Sequence, residues 1–272
     1  MLQNPMLGSG IVILFLVAAF AVLVPTFMSL DPYSISATEK LQPPSFMHPM
    51  GTDALGRDAL SRLVVGTHIS LSIAISATLL TAIFGIGLGM IAGQFPKLDI
   101  IISQFSDALL IFPGVVLAIM ILAALGPSQA NVILAVFVLY VPRVIRTVRA
   151  SVLEYRDADF VAAARSIGAS TPRILALHIF PRAIGPIMVQ LSLGFSSAIL
   201  VEAGLSFLGL GAPPPAPTWG NMISNAREFI RSAPWLMIAP GVLITVTVLG
   251  LNLIGDGLRD MFDPRTRRSA DR

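Results

Sequence analysis

The stretch FVAAARSIGASTPRILALHIFPRA, which runs from Phe160 to Ala183, predicts the fold more directly than any other part of the sequence. Asp157 or Asp159 can cap a short helix here, and Gly168 supplies the left-handed backbone conformation that commonly ends one. The region is too polar to lie buried in lipid, yet its apolar residues recur at helical spacing. The sequence therefore predicts a short helix followed by a bend at Gly168.

A second short helix is predicted after this bend. Thr171 and Pro172 fit its N-cap and its first turn, and Pro181 is expected to end it. Small residues beside the glycine would let a partner surface approach the backbone, while the apolar residues would fill a groove of that partner. The alternative is an amphipathic connector that lies on the membrane surface.

Six apolar stretches surround this segment, and each is long enough to cross a bilayer core of roughly 30 Å as a helix. They are residues 8–28, 69–93, 106–125, 131–148, 186–210 and 236–254. Residues 29–68 then form an external loop, and residues 149–183 form a cytoplasmic segment. With 55% hydrophobic residues, 12% charged residues and a mean hydropathy of +0.82, the chain is predicted to be an all-α integral membrane protein with six transmembrane helices in one domain.

The positions of the basic residues predict the orientation. Of the 18 Lys and Arg residues, 13 lie on the side of the two termini and the 149–183 segment, and 5 lie on the opposite side. Basic loops stay in the cytoplasm, so both termini are expected there. The tail contributes to this count through Arg265, Arg267, Arg268 and Arg272.

Several classes of function are excluded by what the sequence lacks. Without cysteine, it has no disulfide framework, no thiolate metal site and no cysteine nucleophile. It contains no GxxxxGK[ST] phosphate-binding loop, and His48, His68 and His178 show no metal-ligand spacing. A net charge of +3 is too small to indicate nucleic-acid binding. We therefore expect no metal, nucleotide or other cofactor on this chain.

The 160–183 stretch resembles the loop signature of permease subunits of ATP-binding-cassette (ABC) importers. That signature has an acidic residue and two alanines before a glycine, and then a Leu-Pro pair. The matching residues here are Ala163, Ala164, Gly168 and Pro181. Ala162 replaces the acidic residue and Phe180 replaces the leucine, so the resemblance lies in the backbone geometry rather than in a charge contact.

Three further stretches are similar to the dipeptide and oligopeptide branch of this family. The first is MGTDALGRDALSRL in the external loop, with the motif residues Gly51, Asp53, Gly56, Arg57 and Asp58. The others are VEAGLSFLGLGAPPPAPTWGNMI, which begins at Val201, and NLIGDGLRDMFDPR, which ends at Arg265. The resemblance thus covers most of the chain and is to the shorter, C-type permease of a pair.

This resemblance implies a type I ABC importer permease of the MetI-like fold in a bacterial inner membrane. It implies a second, B-type permease, two ATPase subunits that carry ATP and Mg, and an extracytoplasmic solute-binding protein. Ala163, Ala164, Gly168 and Pro181 would contact an ATPase subunit. The neighbours expected to join that contact are Phe160, Ala169 and Ile174.

Two ionisable residues lie in or beside the predicted spans. Asp107 is near the start of the third span and Glu202 is inside the fifth. Ionisable residues at such depth are rare and mark either a transport pathway or a buried hydrogen bond between helices. Both roles remain open for both residues.

Other patterns concern packing. Gly85, Gly89 and Gly93 repeat on one helical face, which predicts close packing within this chain or against a second permease. Pro113 and Pro142 are candidate kinks inside spans. The proline-rich run from Ala212 to Trp219 predicts an extended strut. Trp219 and Trp235 are expected at the membrane interface as anchors.

The favoured hypothesis is therefore a permease subunit that carries dipeptides or oligopeptides and has no enzymatic activity of its own. The same machinery importing nickel or glutathione is an alternative. A proton-driven carrier that uses Asp107 and Glu202 as a relay is a rival of another class, to be distinguished by transport without an ATPase. A membrane-embedded enzyme would need clustered catalytic groups, which two separated carboxyls do not supply.

Overall fold

The computed structural model describes residues 5–27 and 31–262, and all of the regular structure in this part of the chain is helical. Four long helices are unbroken from end to end: α1 (Pro5–Phe27), α2 (Ala59–Gln94), α5 (Gln129–Arg156) and α10 (Trp235–Phe262). The remaining elements are α3 (Pro96–Ile111), α4 (Gly114–Leu125), α6 (Asp159–Ser166), α7 (Thr171–Ile174), a π-helical turn (Leu175–Ile179), α8 (Phe180–Phe207), α9 (Trp219–Ala226) and a 3₁₀ turn (Arg227–Phe229).

Within residues 5–27 and 31–262, five segments are long and apolar enough to cross a membrane, and the pair α3 and α4 adds a sixth if it is counted as one span. This pair corrects the prediction of a single third span over residues 106–125. The two helices meet at an angle of 93°. The break falls at Phe112, whose extended backbone is the conformation favoured before a proline, here Pro113. Pro142, in contrast, lies inside the unbroken helix α5.

The helices also extend past the apolar stretches on which the predicted spans were based. Helix α2 begins at Ala59, so the external loop ends ten residues earlier than predicted, and α5 continues to Arg156. Likewise, α1 begins at Pro5, α3 at Pro96, and α10 ends at Phe262. Hydropathy detects lipid-facing residues only, whereas the helices continue through polar turns at both membrane surfaces. The predicted end of the first span at Met28 and the tail beyond Phe262 lie outside the described residues.

The segment around Gly168 differs from its prediction at three points. Ala158 and Ser170 occupy the two N-cap positions without a side-chain hydrogen bond, where Asp157 or Asp159 and Thr171 had been expected. Pro181 does not end a helix, because α7, the π-helical turn and α8 form one continuous segment of 37 residues, Thr171–Phe207. The Phe180 N–H bonds to the Leu175 carbonyl, and this wider turn accommodates the proline ring that follows.

Helices α2 and α5 form the most extensive helix pair among the described residues. A methyl group added to Gly85, Gly89 or Gly93 would lie 2.5 to 2.6 Å from a valine side chain of α5. The two rows are Gly85, Gly89 and Gly93 on α2 and Val144, Val148 and Val152 on α5. The predicted close packing of this glycine row is therefore confirmed and lies within the chain; we call these two rows the glycine–valine seam.

The first and last helices also pack at backbone distance. A methyl group on Gly10 of α1 would lie 2.6 Å from the carbonyl oxygen of Gly250, and one on Gly257 of α10 would lie 2.8 Å from the backbone of Leu7. The largest core cluster lies between α2, α4, α5, α8 and α9, with Trp219 and Ile199 fully buried in it. We call the two ends of the bundle the Gly168 end and the loop end, which carries residues 31–58.

The seam predicts unequal effects for two neighbouring glycines. Gly89→Val would place a branched side chain against Val148, an overpacking that typically costs about 1 to 3 kcal/mol. Gly87→Val is the matched control, because none of the described residues lies within 4 Å of a methyl group at Gly87. We expect the midpoint of thermal unfolding, measured on the detergent-purified protein, to fall for Gly89→Val only. Equal midpoints for the two variants would contradict the seam.

Candidate coupling segment and external loop

The segment from Phe160 to Ala183 has an inner apolar face that anchors it to the bundle. Val161, Ile174 and Ile179 are at most 2% exposed and pack in one cluster with the seam valines. Arg182 lies over the ring of Phe160, with its guanidinium carbon 3.9 Å from the ring centre. The segment is therefore fixed to the end of the α2–α5 pair rather than lying free on a surface.

The predicted partner-contact residues divide between the two faces of this segment. Ala163, Gly168 and Pro181 are exposed, whereas Phe160 and Ala169 are partly buried. Ala164 and Ile174 are buried against the protein's own core. The outer face also presents two apolar side chains outside the predicted contact set, Ile167 at 87% exposure and Leu177 at 61%.

Gly168 provides the bend between the two halves of the segment. Its φ is +85°, a left-handed conformation that strains residues with a side chain. Its N–H bonds to the Arg165 carbonyl, and the Ala169 N–H bonds to the Ala164 carbonyl, as at a typical helix end. No atom of the described residues lies within 4 Å of a methyl group placed here, so in this part of the chain the backbone conformation is what favours glycine at this position.

At the loop end, Asp53 organises the predicted external motif. One carboxylate oxygen of Asp53 accepts hydrogen bonds from the N–H groups of Leu55 and Arg57, at 2.8 and 3.0 Å. The other oxygen accepts one from the Arg57 side chain at 2.7 Å and lies 3.5 Å from the Nε of Arg62. This single carboxylate thus holds the turn closed and balances two guanidinium groups.

The two glycines of the motif allow close backbone contacts at positive φ. Gly56 has a φ of +75°, and a methyl group there would overlap the carbonyl oxygen of Ser36. Gly51 has a φ of +68° and lies against the indole of Trp235. These positions require glycine for both conformation and space.

Asp58, the last residue of the motif, caps α2. Its carboxylate accepts hydrogen bonds from the backbone N–H and the hydroxyl of Ser61, at 2.7 and 2.6 Å, and contacts the His48 ring at 2.9 Å. The residues that follow Asp58 form the first turn of the long helix α2, in which Leu60 and Leu63 are buried in the bundle.

Glu202 is the buried carboxyl at the loop end. It is fully buried and accepts a 2.7 Å hydrogen bond from the Ser206 hydroxyl, while Ser70 of α2 faces the same carboxyl. Trp219 joins this group, since its backbone N–H donates to the Ser70 hydroxyl and its indole N–H donates to Thr67. Glu202 therefore belongs to a polar network that connects α8, α2 and α9.

Trp219 corrects the prediction of an interface anchor, because it is fully buried. Trp219 is the first residue of α9, and the helix start is capped by Thr218 and Asn221, whose side chains hydrogen-bond to each other's backbone. Trp235 is only partly buried and contacts the external motif through Gly51. The proline-rich run ends at Trp219 and is thereby attached to the core.

A family profile described as "Binding-protein-dependent transport system inner membrane component" matches residues 85–268. This match covers more than half of the chain and includes both the seam and the Gly168 bend. The chain belongs to this family. It is a membrane permease component of a binding-protein-dependent transport system, consistent with its long apolar helices.

Three curated relatives of this permease are similar over almost its full length. A dipeptide transport permease of Alkalihalophilus pseudofirmus is 42% identical, over 97% of this chain and 88% of its own. A di/tripeptide transport permease of Pseudomonas aeruginosa is 39% identical, over 96% and 88%. A glutathione transport permease of Pectobacterium atrosepticum is also 39% identical, over 97% and 88%.

Solved structures show the fold of this permease. The MetNI methionine ABC transporter in an inward-facing conformation has a chain that matches with a TM-score of 0.57 at 17% identity, over 74% of this chain and 96% of that one. An amino acid ABC transporter matches with a TM-score of 0.54 at 19% identity, over 76% and 93%. The permease therefore has the MetI-like fold of type I ABC importers.

Asp107, the other ionisable residue predicted in or beside a span of the permease, lies in a different cluster from Glu202. It pairs with Arg146 of α5 at 2.6 Å, and its side chain is 59% exposed. In the described part of the chain, the two carboxyls have no interaction partner in common. The structure thus does not bring Asp107 and Glu202 together as the relay that a proton-driven carrier would need.

The external motif generates a stability prediction. Asp58→Ala removes the N-cap of α2, a change that costs about 1 to 2 kcal/mol in typical proteins. We expect a lower midpoint of thermal unfolding for the purified permease. Asp58→Asn is the control, because its amide oxygen can still accept the Ser61 N–H, and it should lose less. An alanine variant as stable as the unmodified permease would contradict this role of the cap.

Proposed function

We propose that this permease carries dipeptides or oligopeptides across the bacterial inner membrane as one subunit of an ABC importer. The observation that carries the proposal is a match over nearly the whole chain to di- and tripeptide transport permeases, in a chain that keeps the bend at Gly168. Glutathione, itself a small peptide, is the second candidate because of the similar glutathione transport permease. Nickel complexes stay an expectation from family resemblance alone.

The permease requires partners to provide energy. Its sequence has no phosphate-binding loop, so two separate ATPase subunits would bind ATP and Mg and hydrolyse the nucleotide. The outer face around Ala163, Ile167 and Gly168 is the surface we assign to one ATPase subunit. Two exposed apolar side chains, Ile167 and Leu177, would fill a groove on that subunit. Both termini would then lie in the cytoplasm with the Gly168 end.

Movement of the ATPase subunits would reach the membrane through one continuous helical segment. We call the face around Ala163, Ile167 and Gly168 the coupling surface. Residues Thr171–Phe207 run without a break from this surface into a span. The opposite side of the segment is held by Ile174 and Ile179 in the core cluster of the seam valines. Pushing the outer face would therefore displace α8 and α5 together, which is the rigid-body motion that alternating access needs.

The other partners are assigned to the remaining surfaces. A second, B-type permease would cover the exposed apolar side chains of the bent pair α3 and α4, among them Ile101, Ile111 and Val115. A solute-binding protein would approach the loop end, where a cavity of about 700 Å³ lies between the external motif and α9. Arg57, Arg62, Arg227, Asp53 and Glu228 line this cavity and offer contacts of both charges.

Peptide uptake tests the substrate assignment. Cells with and without this permease receive a defined mixture of di- and oligopeptides together with glutathione, and mass spectrometry measures which compounds enter. We expect deletion to abolish uptake of at least one peptide class and the restored gene to recover it. Loss of glutathione uptake alone would favour the second candidate, and unchanged uptake of every compound would contradict the proposal.

The bend at Gly168 tests the coupling surface. Gly168→Val introduces a β-branched side chain at positive φ, which is strained by roughly 1 to 3 kcal/mol, whereas Gly168→Asn tolerates that conformation. We expect the valine variant to assemble with its ATPase subunits and hydrolyse ATP without peptide uptake. The asparagine variant should stay better coupled than the valine variant, since asparagine tolerates positive φ and no described residue of this chain lies within 4 Å of a methyl group at this position. Normal uptake per ATP in Gly168→Val would contradict this role.

A further inference from the structure

A second cavity, of about 410 Å³, lies between α3 and α5. Its volume falls within the range of roughly 300 to 1,000 Å³ that is typical of small-ligand sites. Three of the six residues that line it are charged, whereas only 12% of the whole chain is charged, and two more are serines. The lining residues are Ser103, Ser106, Asp107, Ile145, Arg146 and Arg149.

The cavity lies along the packed part of α5 rather than at its tip. Arg146 precedes the end of α5 at Arg156 by ten residues, or about 15 Å along the axis. The adjacent Ile145 is at the level of the glycine–valine seam, because its backbone carbonyl oxygen lies 2.9 Å from a methyl group placed on Gly89. Charged side chains at such positions are rare and are usually functional.

The two arginines of the cavity are paired in different ways. Arg149 uses two nitrogens to bind both oxygens of Asp99, and Ser103 donates a further bond of 2.9 Å to Asp99. This pair is satisfied and at most 35% exposed. Arg146 and Asp107, in contrast, share one hydrogen bond of 2.6 Å and are 58% and 59% exposed. Within the described residues, the other nitrogens of Arg146 and the second oxygen of Asp107 make no hydrogen bond.

Ser106 adds an independent sign of a ligand. Its side chain is 1% exposed and lines the cavity, and its hydroxyl has no hydrogen-bond partner among the described residues. A buried hydroxyl without a partner costs about 1 to 3 kcal/mol, so a polar atom from outside this chain would stabilise it. Ser106 lines the same cavity as Arg146 and Asp107, the pair with unused donors and acceptors.

We propose that this cavity is a contact site for the charged ends of a zwitterionic peptide during its passage. The guanidinium of Arg146 binds the terminal carboxylate, Asp107 accepts the terminal ammonium group, and the Ser106 hydroxyl bonds to either end. An exposed ion pair cannot face lipid chains at low cost, so the Arg146–Asp107 pair faces a water-filled pathway. This inference rests on the proposed function, since it assumes that peptides pass through this permease.

Transport by the complete importer, reconstituted in liposomes with its binding protein, tests the site. Trialanine is the probe, and uptake per ATP hydrolysed is measured for Arg146→Gln, Asp107→Asn and the exchanged double variant Asp107→Arg with Arg146→Asp. We expect each variant to lower uptake roughly tenfold or more, because each loses one charge-assisted hydrogen bond to the peptide. ATPase activity and assembly should be kept. Arg143→Gln is the control, because it makes the same substitution on α5 at a residue that does not line the cavity, and it should keep at least half of the uptake.

The exchanged variant separates a substrate contact from a structural bond between α3 and α5. It restores the ion pair with reversed positions, so recovery of uptake in it would overturn the proposal, as would normal uptake in both single variants. If the unmodified importer takes up no trialanine while it takes up glutathione, the fault lies in the proposed substrate, and the same variants are then measured with glutathione.

Thiol labelling provides a readout that does not depend on transport by these variants. The chain has no cysteine, so Ser103→Cys places one thiol on the cavity wall. We expect a negatively charged thiosulfonate reagent to label it, and trialanine-loaded binding protein with ATP to slow this labelling at least threefold relative to unloaded binding protein. Labelling that responds to the phosphatidylethanolamine content of the liposomes and not to trialanine would indicate a lipid site and overturn the proposal.

Discussion

The rest of this permease depends on the contact between α2 and α5. Three glycines spaced four residues apart remove the side chains that would separate these helices, and three valines at the same spacing fill the space. In a membrane, the hydrophobic effect does not drive helices together, so such close contact provides much of the association energy. Because α2 runs from the external motif to the Gly168 end, this one contact fixes the relative position of both candidate surfaces.

Both surfaces are attached to the ends of this pair by short-range polar or apolar contacts. At the loop end, Asp58 begins α2, while Ser70 and Thr67 hold Trp219. At the other end, Val161 and Ile174 pack beyond the last seam valine, and Arg156 donates to the Gly93 carbonyl. A type I importer must transmit movement between its two faces, and a stiff central pair with separately attached ends is suited to this task.

Local chemistry was predictable from the sequence, and long-range pairing was not. The apolar helices, the bend at Gly168 and the turn glycines follow from hydropathy and backbone preferences. The burial of Trp219 did not follow from the sequence. A tryptophan at the membrane interface and one in the core have the same local sequence pattern, and only the partners Thr67 and Ser70 distinguish them. Hydropathy likewise missed the break at Phe112, because Pro113 is as compatible with a mild kink as with a right angle.

The candidate site illustrates the same limit. Asp107 was recognisable by its depth. Arg146 counted only as one basic residue among many, because its pairing with Asp107 joins residues that lie 39 positions apart in the sequence. That residues 160–183 present a partner-binding surface was predictable from the sequence. Its division into buried Ala164 and exposed Ile167 depends on which helix face meets the seam.

The packing of α1 against α10 has a consequence for biogenesis. Helix α1 contacts mainly α10, and the approach at Gly10, Gly250 and Gly257 leaves no room for another helix between them. Helix α1 therefore depends on a partner that follows it by about 200 residues in the sequence. Because α10 is synthesised after α1, this contact forms only after most of the described bundle has been translated.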